Sequence, residues 1–261
     1  MWIDTHLHLD AAEYNPDRGD VVARARSVDV NAFVLPAVHV SNFDVVRTLA
    51  HNTPGAVYCL GIHPLYVGQS TIEDLHTLRL ALEQHRDDPL LAGVGEIGLD
   101  GFVPGLDWNR QVEFYHAQLK LARDFDLPVV LHVRKSQDSI LKGLRQFKPR
   151  SGIAHAFNGS VQQATQFLNA HMKLGFGGAS TFTRALQIRR LAVELPLDAL
   201  VTETDGPDIP PEWINRQRNE PFHLPRIGEA LAQLRGMAVA DLAQAMRNNA
   251  WAALPALAAH T

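Results

Sequence analysis

The stretch Trp2-Ile3-Asp4-Thr5-His6-Leu7-His8 is a short apolar strand pattern that ends in two histidines two positions apart. In an extended chain, the side chains at positions i and i+2 point to the same side, so His6 and His8 project together. Two imidazoles placed in this way could chelate one metal ion. Taken alone, the pair is a weak signal, and two satisfied polar side chains at a strand end are the more common explanation of it.

The same arrangement, a polar residue at the end of an apolar run, recurs along the chain. Four further runs finish at Glu96, His132, His155 and Asp205. Burying one such group without a partner costs roughly 2–7 kcal/mol, and a charged group costs more. Six groups aimed at one place therefore need a shared partner, and mixed nitrogen and oxygen ligands suit divalent Zn, Mn, Fe or Mg. The pattern predicts a metal centre.

The chain alternates short strand patterns with longer amphipathic segments. The predicted strands are Trp2–Asp4, Ala32–Pro36, Val57–Gly61, Leu91–Glu96, Val129–His132, Gly152–His155, Lys173–Phe176 and Leu200–Thr202. The predicted helices are Asp17–Ser27, Ser41–His51, Ile72–Gln84, Asn109–Asp124, Asp138–Gln146, Ser160–Leu168, Thr183–Leu195, Leu224–Leu234 and about Ala240–Ala252. Apolar runs without clean alternation are typical of parallel strands that helices cover on both faces.

Eight alternating units could form an open doubly wound sheet or a closed barrel. An open sheet would concentrate its polar residues near one switch point, whereas here they end strands along the whole sequence. No glycine-rich dinucleotide fingerprint follows the first strand. The 261 residues also suit one barrel, which typically takes roughly 250. We therefore predict an α/β protein with a single (β/α)8 TIM-barrel domain spanning residues 1–261.

Composition narrows the class of protein. The net charge of −4 argues against broad phosphate neutralisation, so a nucleic-acid substrate would be held locally by metals and a few arginines. The single cysteine, Cys59, lies in an apolar run and is interpreted as a buried core residue in a reducing compartment. No leader pattern or membrane-spanning run is recognisable, so we expect a cytoplasmic protein with no membrane association and no obligate protein partner.

The number of predicted ligands indicates two metal ions. Six side chains exceed the three protein ligands that are usual for one catalytic zinc, and they suit two ions about 3.5–4 Å apart. We assign the ligands as two sets with one bridging carboxylate. His6, His8 and Asp205 hold one ion, His132 and His155 hold the other, and Glu96 bridges both.

Several stretches together resemble the TatD family of metal-dependent hydrolases, a branch of the amidohydrolase-type barrels. They are Ile3–His8, Gly61–Pro64, Val94–Asp100, Leu127–His132, His155–Ser160, Gly175–Gly178, Glu203–Asp208 and Arg218–Pro221. The family's six metal positions are all filled here by the expected residue types. Relatives that bridge their metals through a carboxylated lysine differ, because no lysine ends a strand in this chain.

The resemblance implies hydrolysis of phosphoester bonds assisted by Mg²⁺ or Mn²⁺, with DNA as the substrate most often attributed to the family. Departures from the family pattern are small. Asn158 stands where Ser is commoner, and Gly206 stands where Ala is common. The loop Gly101–Gly105 is short and contains no Arg or Tyr. Because loops set substrate choice in barrels, these differences bear on the substrate rather than on the metals.

We expect a water activated by the metals to attack phosphorus or a carbonyl carbon. Asp205 is the candidate general base or proton shuttle, and Glu203 is expected to orient a metal ligand. His63, Arg134 and Arg218 are the candidate substrate contacts, because Arg suits bidentate phosphate binding.

Two other classes of function stay open on the sequence alone. The same metal chemistry could hydrolyse amide or ester bonds of a small molecule, or the barrel could bind metal without catalysis. A DNA, nucleotide or other phosphoester substrate is the leading prediction.

Overall fold

In the computed structural model, all eight predicted strands form one parallel sheet. The structure describes residues 1–214 and 216–261. The strands are β1 (Trp2–Asp4), β2 (Val30–Pro36), β3 (Ala56–Leu60), β4 (Leu91–Asp100), β5 (Val129–Arg134), β6 (Gly152–Ala154), β7 (Met172–Phe176) and β8 (Leu200–Thr202), and they pair in chain order. The prediction of a single-domain (β/α)8 TIM barrel is confirmed.

Nine α-helices were identified in the described part of the chain. They are α1 (Arg18–Ser27), α2 (Phe43–Asn52), α3 (Ile72–Gln84), α4 (Trp108–Asp124), α5 (Gln137–Phe147), α6 (Val161–Asn169), α7 (Leu186–Glu194), α8 (Leu224–Arg235) and α9 (Val239–Ala253). Local sequence explains where two of these helices begin. Thr71 forms a capping box with Asp74 at the start of α3, and Ser160 forms one with Gln163 at the start of α6. Each helix in residues 1–214 and 216–261 is too short or too polar to cross a lipid bilayer.

The first and last strands meet just beyond their carboxyl ends, and this contact closes the barrel. The Thr5 N–H donates to the Thr202 carbonyl at 3.2 Å, and the Asp205 N–H donates to the His6 carbonyl at 2.9 Å. An isolated parallel bridge joins Leu7 to Gly206. Closure therefore occurs in the same two segments that carry His6, His8 and Asp205.

Two large apolar clusters and one small one stabilise the fold. The largest cluster packs the helices against the outside of the sheet and includes Tyr58, Tyr115 and Phe176. The second large cluster takes alternate strand residues and is covered by Leu254 and Leu257 after α9, which indicates the filled barrel interior. Its strand members are Ile3, Ala32, Val34, Val57, Cys59, Ala92, Val130, Ile153 and Val201. Cys59 is a free, fully buried thiol, as predicted.

Two strands differ from the predicted bounds in a way that matters for the site. We expected strands to stop at Glu96 and His132, but β4 continues to Asp100 and β5 to Arg134. The register between β4 and β5 shifts between Val94 and Ile97, so β4 carries a bulge at Glu96. Because bulges re-aim side chains, Glu96 can face the barrel mouth from inside a strand.

Asp88, before β4 at the opposite end of the barrel, is the centre of a structural polar cluster. Its Oδ2 accepts hydrogen bonds from Arg47 at 3.0 Å, His51 at 2.8 Å and Tyr58 at 2.9 Å. Burial alone would raise the pKa of Asp88, but hydrogen bonds from His51, the Leu90 N–H and Tyr58 outweigh it and lower the pKa from 3.8 to about 2. A carboxyl group with a lowered folded-state pKa stabilises the fold above its unfolded pKa.

We predict that Asp88→Asn lowers the free energy of unfolding by about 2 kcal/mol at neutral pH. The difference from the wild type should shrink as the pH falls from about 4 towards about 2, because the wild-type carboxylate is then protonated. Urea unfolding at neutral pH and at about pH 3 measures both quantities. Asp126→Asn is the matched control, since Asp126 is 78% exposed and pairs only with Arg150. An equal difference at both pH values would contradict the prediction.

Candidate metal centre

The buried carboxylate of Glu96 lies at the middle of a histidine cluster at the barrel mouth. Its Oε2 is 3.1 Å from His6 Nε2 and 3.4 Å from His8 Nε2. Its Oε1 is 2.9 Å from His155 Nε2 and 3.0 Å from His132 Nδ1. Oε2 thus faces two of the predicted histidine ligands and Oε1 faces the other two, which is the arrangement expected of a bridging ligand.

Asp205 completes the set on the His6 side. Its Oδ1 is 3.5 Å from His6 Nε2 and 3.7 Å from His8 Nε2. Asp4 positions this segment, because its carboxylate accepts hydrogen bonds from the Thr204 N–H at 2.9 Å and the His6 N–H at 3.3 Å. The structure therefore brings together all six residues predicted as ligands at the barrel mouth. Their division between two ions stays a prediction, because His155 groups with His6 and Asp205 as well as with His132.

The chemistry of these donors fits divalent cations. His6 Nε2 and His8 Nε2 face each other at 3.2 Å, and ligand atoms of His6, His155 and Asp205 all lie within 4.8 Å of one another. Burial opposes a charged imidazole, yet the nearby carboxylates of Glu96 and Asp205 raise the pKa of His8 to about 9 and that of His155 to about 10. The cluster thus favours positive charge, which metal ions would supply without protonating the ligands.

Asp100 orients His132 for metal binding. Its Oδ2 lies 3.0 Å from His132 Nε2, so the neutral ring donates from Nε2 and leaves the Nδ1 lone pair facing Glu96. Burial raises the pKa of Asp100, but the His132 hydrogen bond and two backbone N–H groups lower it well below its usual range. A carboxylate that fixes the tautomer of a ligating histidine also increases the basicity of that ligand.

His63 also faces Glu96 Oε1, at 3.3 Å, but its tautomer is opposite to that of His132. The Leu65 N–H donates to His63 Nδ1 at 3.1 Å, so the proton of the neutral ring is on Nε2. Burial lowers the pKa of His63 to about 4 despite the nearby carboxylate. The ring is therefore neutral near pH 7. His63 therefore presents an N–H donor to the centre, although its distances alone would also allow a ligand.

Glu203 lies behind the histidines. It is 1% exposed, its Oε1 accepts a hydrogen bond from the Ala156 N–H, and the same oxygen is 3.8 Å from His155 Nδ1. Gly175 leaves the space for this carboxylate, because a Cβ there would lie 2.1 Å from Glu203 Oε2. This position favours the predicted orienting role rather than direct contact with a substrate.

The centre opens into a cavity of about 910 Å³. Arg134 lines it, is 49% exposed, and has its guanidinium over the ring of Phe102. Of the described residues, His63 and Arg134 are among those lining the cavity, whereas Arg218 is not.

Arg218 is occupied by other contacts. Its guanidinium donates to Asp17 at 2.8 Å and to Glu220, and it packs over Tyr14. Since these carboxylates already take its hydrogen bonds, the structure gives Arg218 a role in tying the segment before α8 to α1. A substrate contact through Arg218 stays a prediction without support from the cavity.

Three residues of the site had no role assigned from the sequence: Asp100, Phe102 and Lys135. Asp100 could have been recognised, because it is a carboxylate four residues after Glu96 in a stretch that already carries a ligand. Phe102 and Lys135 lie in loops, and nothing in their local pattern indicates that they line the cavity.

A closed parallel barrel with a histidine and carboxylate cluster at the carboxyl ends of its strands defines a metal-dependent hydrolase of the TIM-barrel type. Comparison with known proteins then specifies the family. Residues 3–254 match the family model described as TatD related DNase, so the chain belongs to the TatD family.

Two relatives illustrate the match. The chain is 37% identical over 251 residues to the uncharacterized metal-dependent hydrolase YjjV of Escherichia coli K12, covering 96% of each. It is 30% identical over 267 residues to human deoxyribonuclease TATDN3, covering 98% of this chain and 95% of the relative. The crystal structure of Escherichia coli YjjV superposes with a TM-score of 0.93 at 36% identity, over 97% of this chain and 98% of that one.

We predict that Asp100→Asn weakens metal binding by about 10–100-fold, because His132 loses the carboxylate that orients it. Titration of the metal-free protein with Zn²⁺ or Mn²⁺, followed by calorimetry, measures the change. Asp88→Asn is the matched control, since Asp88 is also a buried hydrogen-bonded carboxylate but lies at the opposite end of the barrel. If both variants bound metal as tightly as the wild type, Asp100 would have no part in positioning His132.

Proposed function

We propose that the protein hydrolyses phosphodiester bonds, with DNA or short nucleotides as substrate, at a centre of two divalent ions. His6, His8 and Asp205 would hold one ion, His132 and His155 the other, and Glu96 both. The observation that carries this proposal is that the two oxygens of Glu96 face different pairs of the predicted histidine ligands. Ions held there would supply Lewis-acid activation of water and neutralise charge on the phosphate.

The protein's own residues provide the remaining parts of such a reaction. Asp205 lines the cavity, and its carboxylate can accept the proton of the attacking water as a general base. His63 donates its Nε2–H to an oxygen of the reacting phosphate, where negative charge develops. Arg134 lines the same cavity and offers a guanidinium to a flanking phosphate. Glu203 keeps His155 in place from behind.

DNA is proposed as substrate on two grounds. A human relative is named a deoxyribonuclease, and the matching family model is described as TatD related DNase. The cavity also carries two cations, Arg134 and Lys135, beside the metal centre. A chain with a net charge of −4 would thus hold a polyanion locally, where the reaction takes place.

A substrate panel tests the proposal. Metal-loaded protein should hydrolyse single-stranded DNA and simple phosphodiesters, a chelator should abolish the activity, and amide and ester substrates should react more slowly or not at all. Asp205→Asn, checked for retained metal, should lose about 10²–10⁴-fold in rate because the general base is gone. Turnover of amides without turnover of any phosphoester would overturn the proposal. An undiminished rate in Asp205→Asn would remove Asp205 from its assigned role.

The hydrogen-bond role of His63 has its own test. His63→Ala should keep the full metal content, because Nε2 carries a proton and is not a ligand, while kcat/KM falls by about 10²–10³-fold. His63→Gln should recover part of the loss, since its amide N–H can donate from a similar position. His8→Ala, which removes an assigned ligand, should instead lose metal. Loss of one metal equivalent in His63→Ala would show that His63 is a ligand.

A further inference from the structure

A second feature of the cavity lies beside the metal centre and takes no part in holding the metals. Phe102, in the loop after β4, lines the cavity while remaining 51% exposed. The guanidinium carbon of Arg134 lies 3.9 Å from the centroid of its ring, and the ammonium nitrogen of Lys135 lies 4.8 Å from it. We call Phe102, Arg134 and Lys135 the aromatic platform. It combines an accessible aromatic ring with two cations.

The platform is held in a fixed position relative to the metal centre. Asp100 Oδ1 accepts hydrogen bonds from the Phe102 N–H at 2.8 Å and the Val103 N–H at 2.9 Å. Its other oxygen binds His132 and lies 3.8 Å from Arg134 Nη1. One carboxylate thus ties a metal ligand, the Phe102 loop and a platform cation together.

Backbone contacts hold the loop against β5. The Gly101 N–H donates to the Arg134 carbonyl at 2.7 Å. A Cβ at position 101 would lie 2.6 Å from the Lys135 carbonyl oxygen, so this close approach requires glycine. Phe102 is therefore placed by the fold at the cavity wall and is not a chance exposed side chain.

The charges of the cavity walls are unequally distributed. The platform contributes Arg134 and Lys135, whereas Asp10, Glu13 and Asp208 line the cavity elsewhere. A polyanion that reaches the metal centre would be attracted along the platform and repelled by the acidic residues. Its path from the centre is therefore expected to cross Phe102.

We propose that the aromatic platform is a subsite for the nucleotide next to the cleaved phosphate, with its base stacked on Phe102 and its phosphate facing Arg134 and Lys135. The inference rests on the proposed phosphodiesterase function and adds the requirement for an unpaired base. Aromatic side chains stack with any base, and arginine adds a cation–π contribution. The subsite therefore selects single-stranded chains with little preference for base identity.

The test compares two single-stranded oligonucleotides of equal length, one with bases and one with abasic residues at every position. The wild-type protein should favour the oligonucleotide with bases, both in kcat/KM and in equilibrium binding by fluorescence anisotropy. Phe102→Ala should reduce kcat/KM and affinity for that oligonucleotide by about 10-fold and leave the abasic one unchanged. Phe102→Trp should retain the discrimination, because it still offers a stacking face.

Two sets of control variants are needed. One distinguishes recognition of the base from recognition of the phosphate, and the other distinguishes an effect at the platform from one elsewhere on the protein surface. Arg134→Ala with Lys135→Ala should weaken both oligonucleotides and reduce the salt dependence of binding by about two charges. Phe222→Ala is the matched control, because Phe222 is also a half-exposed phenylalanine, 40% exposed, but is not among the cavity residues. It should behave as the wild type does.

Two failures can be told apart. If the wild type hydrolyses no phosphodiester, the proposed function fails, while base-dependent binding that is lost in Phe102→Ala would still support the subsite. If DNA is hydrolysed but Phe102→Ala keeps the wild-type discrimination between the two oligonucleotides, the subsite is overturned and the function stands. Equal reaction of the wild type with both oligonucleotides would likewise overturn it and point to a substrate recognised by its phosphate alone.

Discussion

The rest of the site depends on the burial of one carboxylate, Glu96, among imidazoles. A carboxylate that is 1% exposed needs compensating positive charge, which ions held between its two oxygens and the imidazoles on either side would supply. On one side are the histidines of the barrel closure, and on the other are those of β5 and the end of β6. The strands can converge on this point only because the barrel closes, so the metal centre depends on the closed fold.

Two of the three histidines that face Oε1 of Glu96, His63 and His132, show how the surroundings assign chemistry to identical side chains. The Nε2–H of His132 donates a hydrogen bond to Asp100, whereas Nδ1 of His63 accepts one from the Leu65 N–H. One ring therefore presents a lone pair and the other presents an N–H. Neither role can be read from the distance to Glu96. Each is set by the partner of the ring nitrogen that points away from the centre.

The sequence predicted those features that depend on local pattern and on the general geometry of barrels. The strand order and the convergence of the six candidate ligands at one end of the barrel follow from polar residues near the ends of apolar runs. The remaining features depend on contacts between distant loops. Arg218 was predicted to contact the substrate, but its guanidinium donates to Asp17, 201 residues earlier in the chain. The bulge at Glu96 and the exposure of Phe102 likewise arise from the pairing of β4 with β5 and from the loop that follows.

Overall charge and local charge lead to different expectations for this protein. A net charge of −4 would usually count against a nucleic-acid substrate, yet several acidic side chains at this end of the barrel face the candidate metal ligands or neutralise an arginine. Glu96 and Asp205 face the histidines, and Asp17 and Glu220 hold Arg218. Arg134 and Lys135 are left on one wall beside the centre, where two divalent ions would add four further positive charges. The field that a substrate meets in the cavity is therefore set by this wall and by the metals, and the acidic net charge of the chain does not exclude a polyanionic substrate.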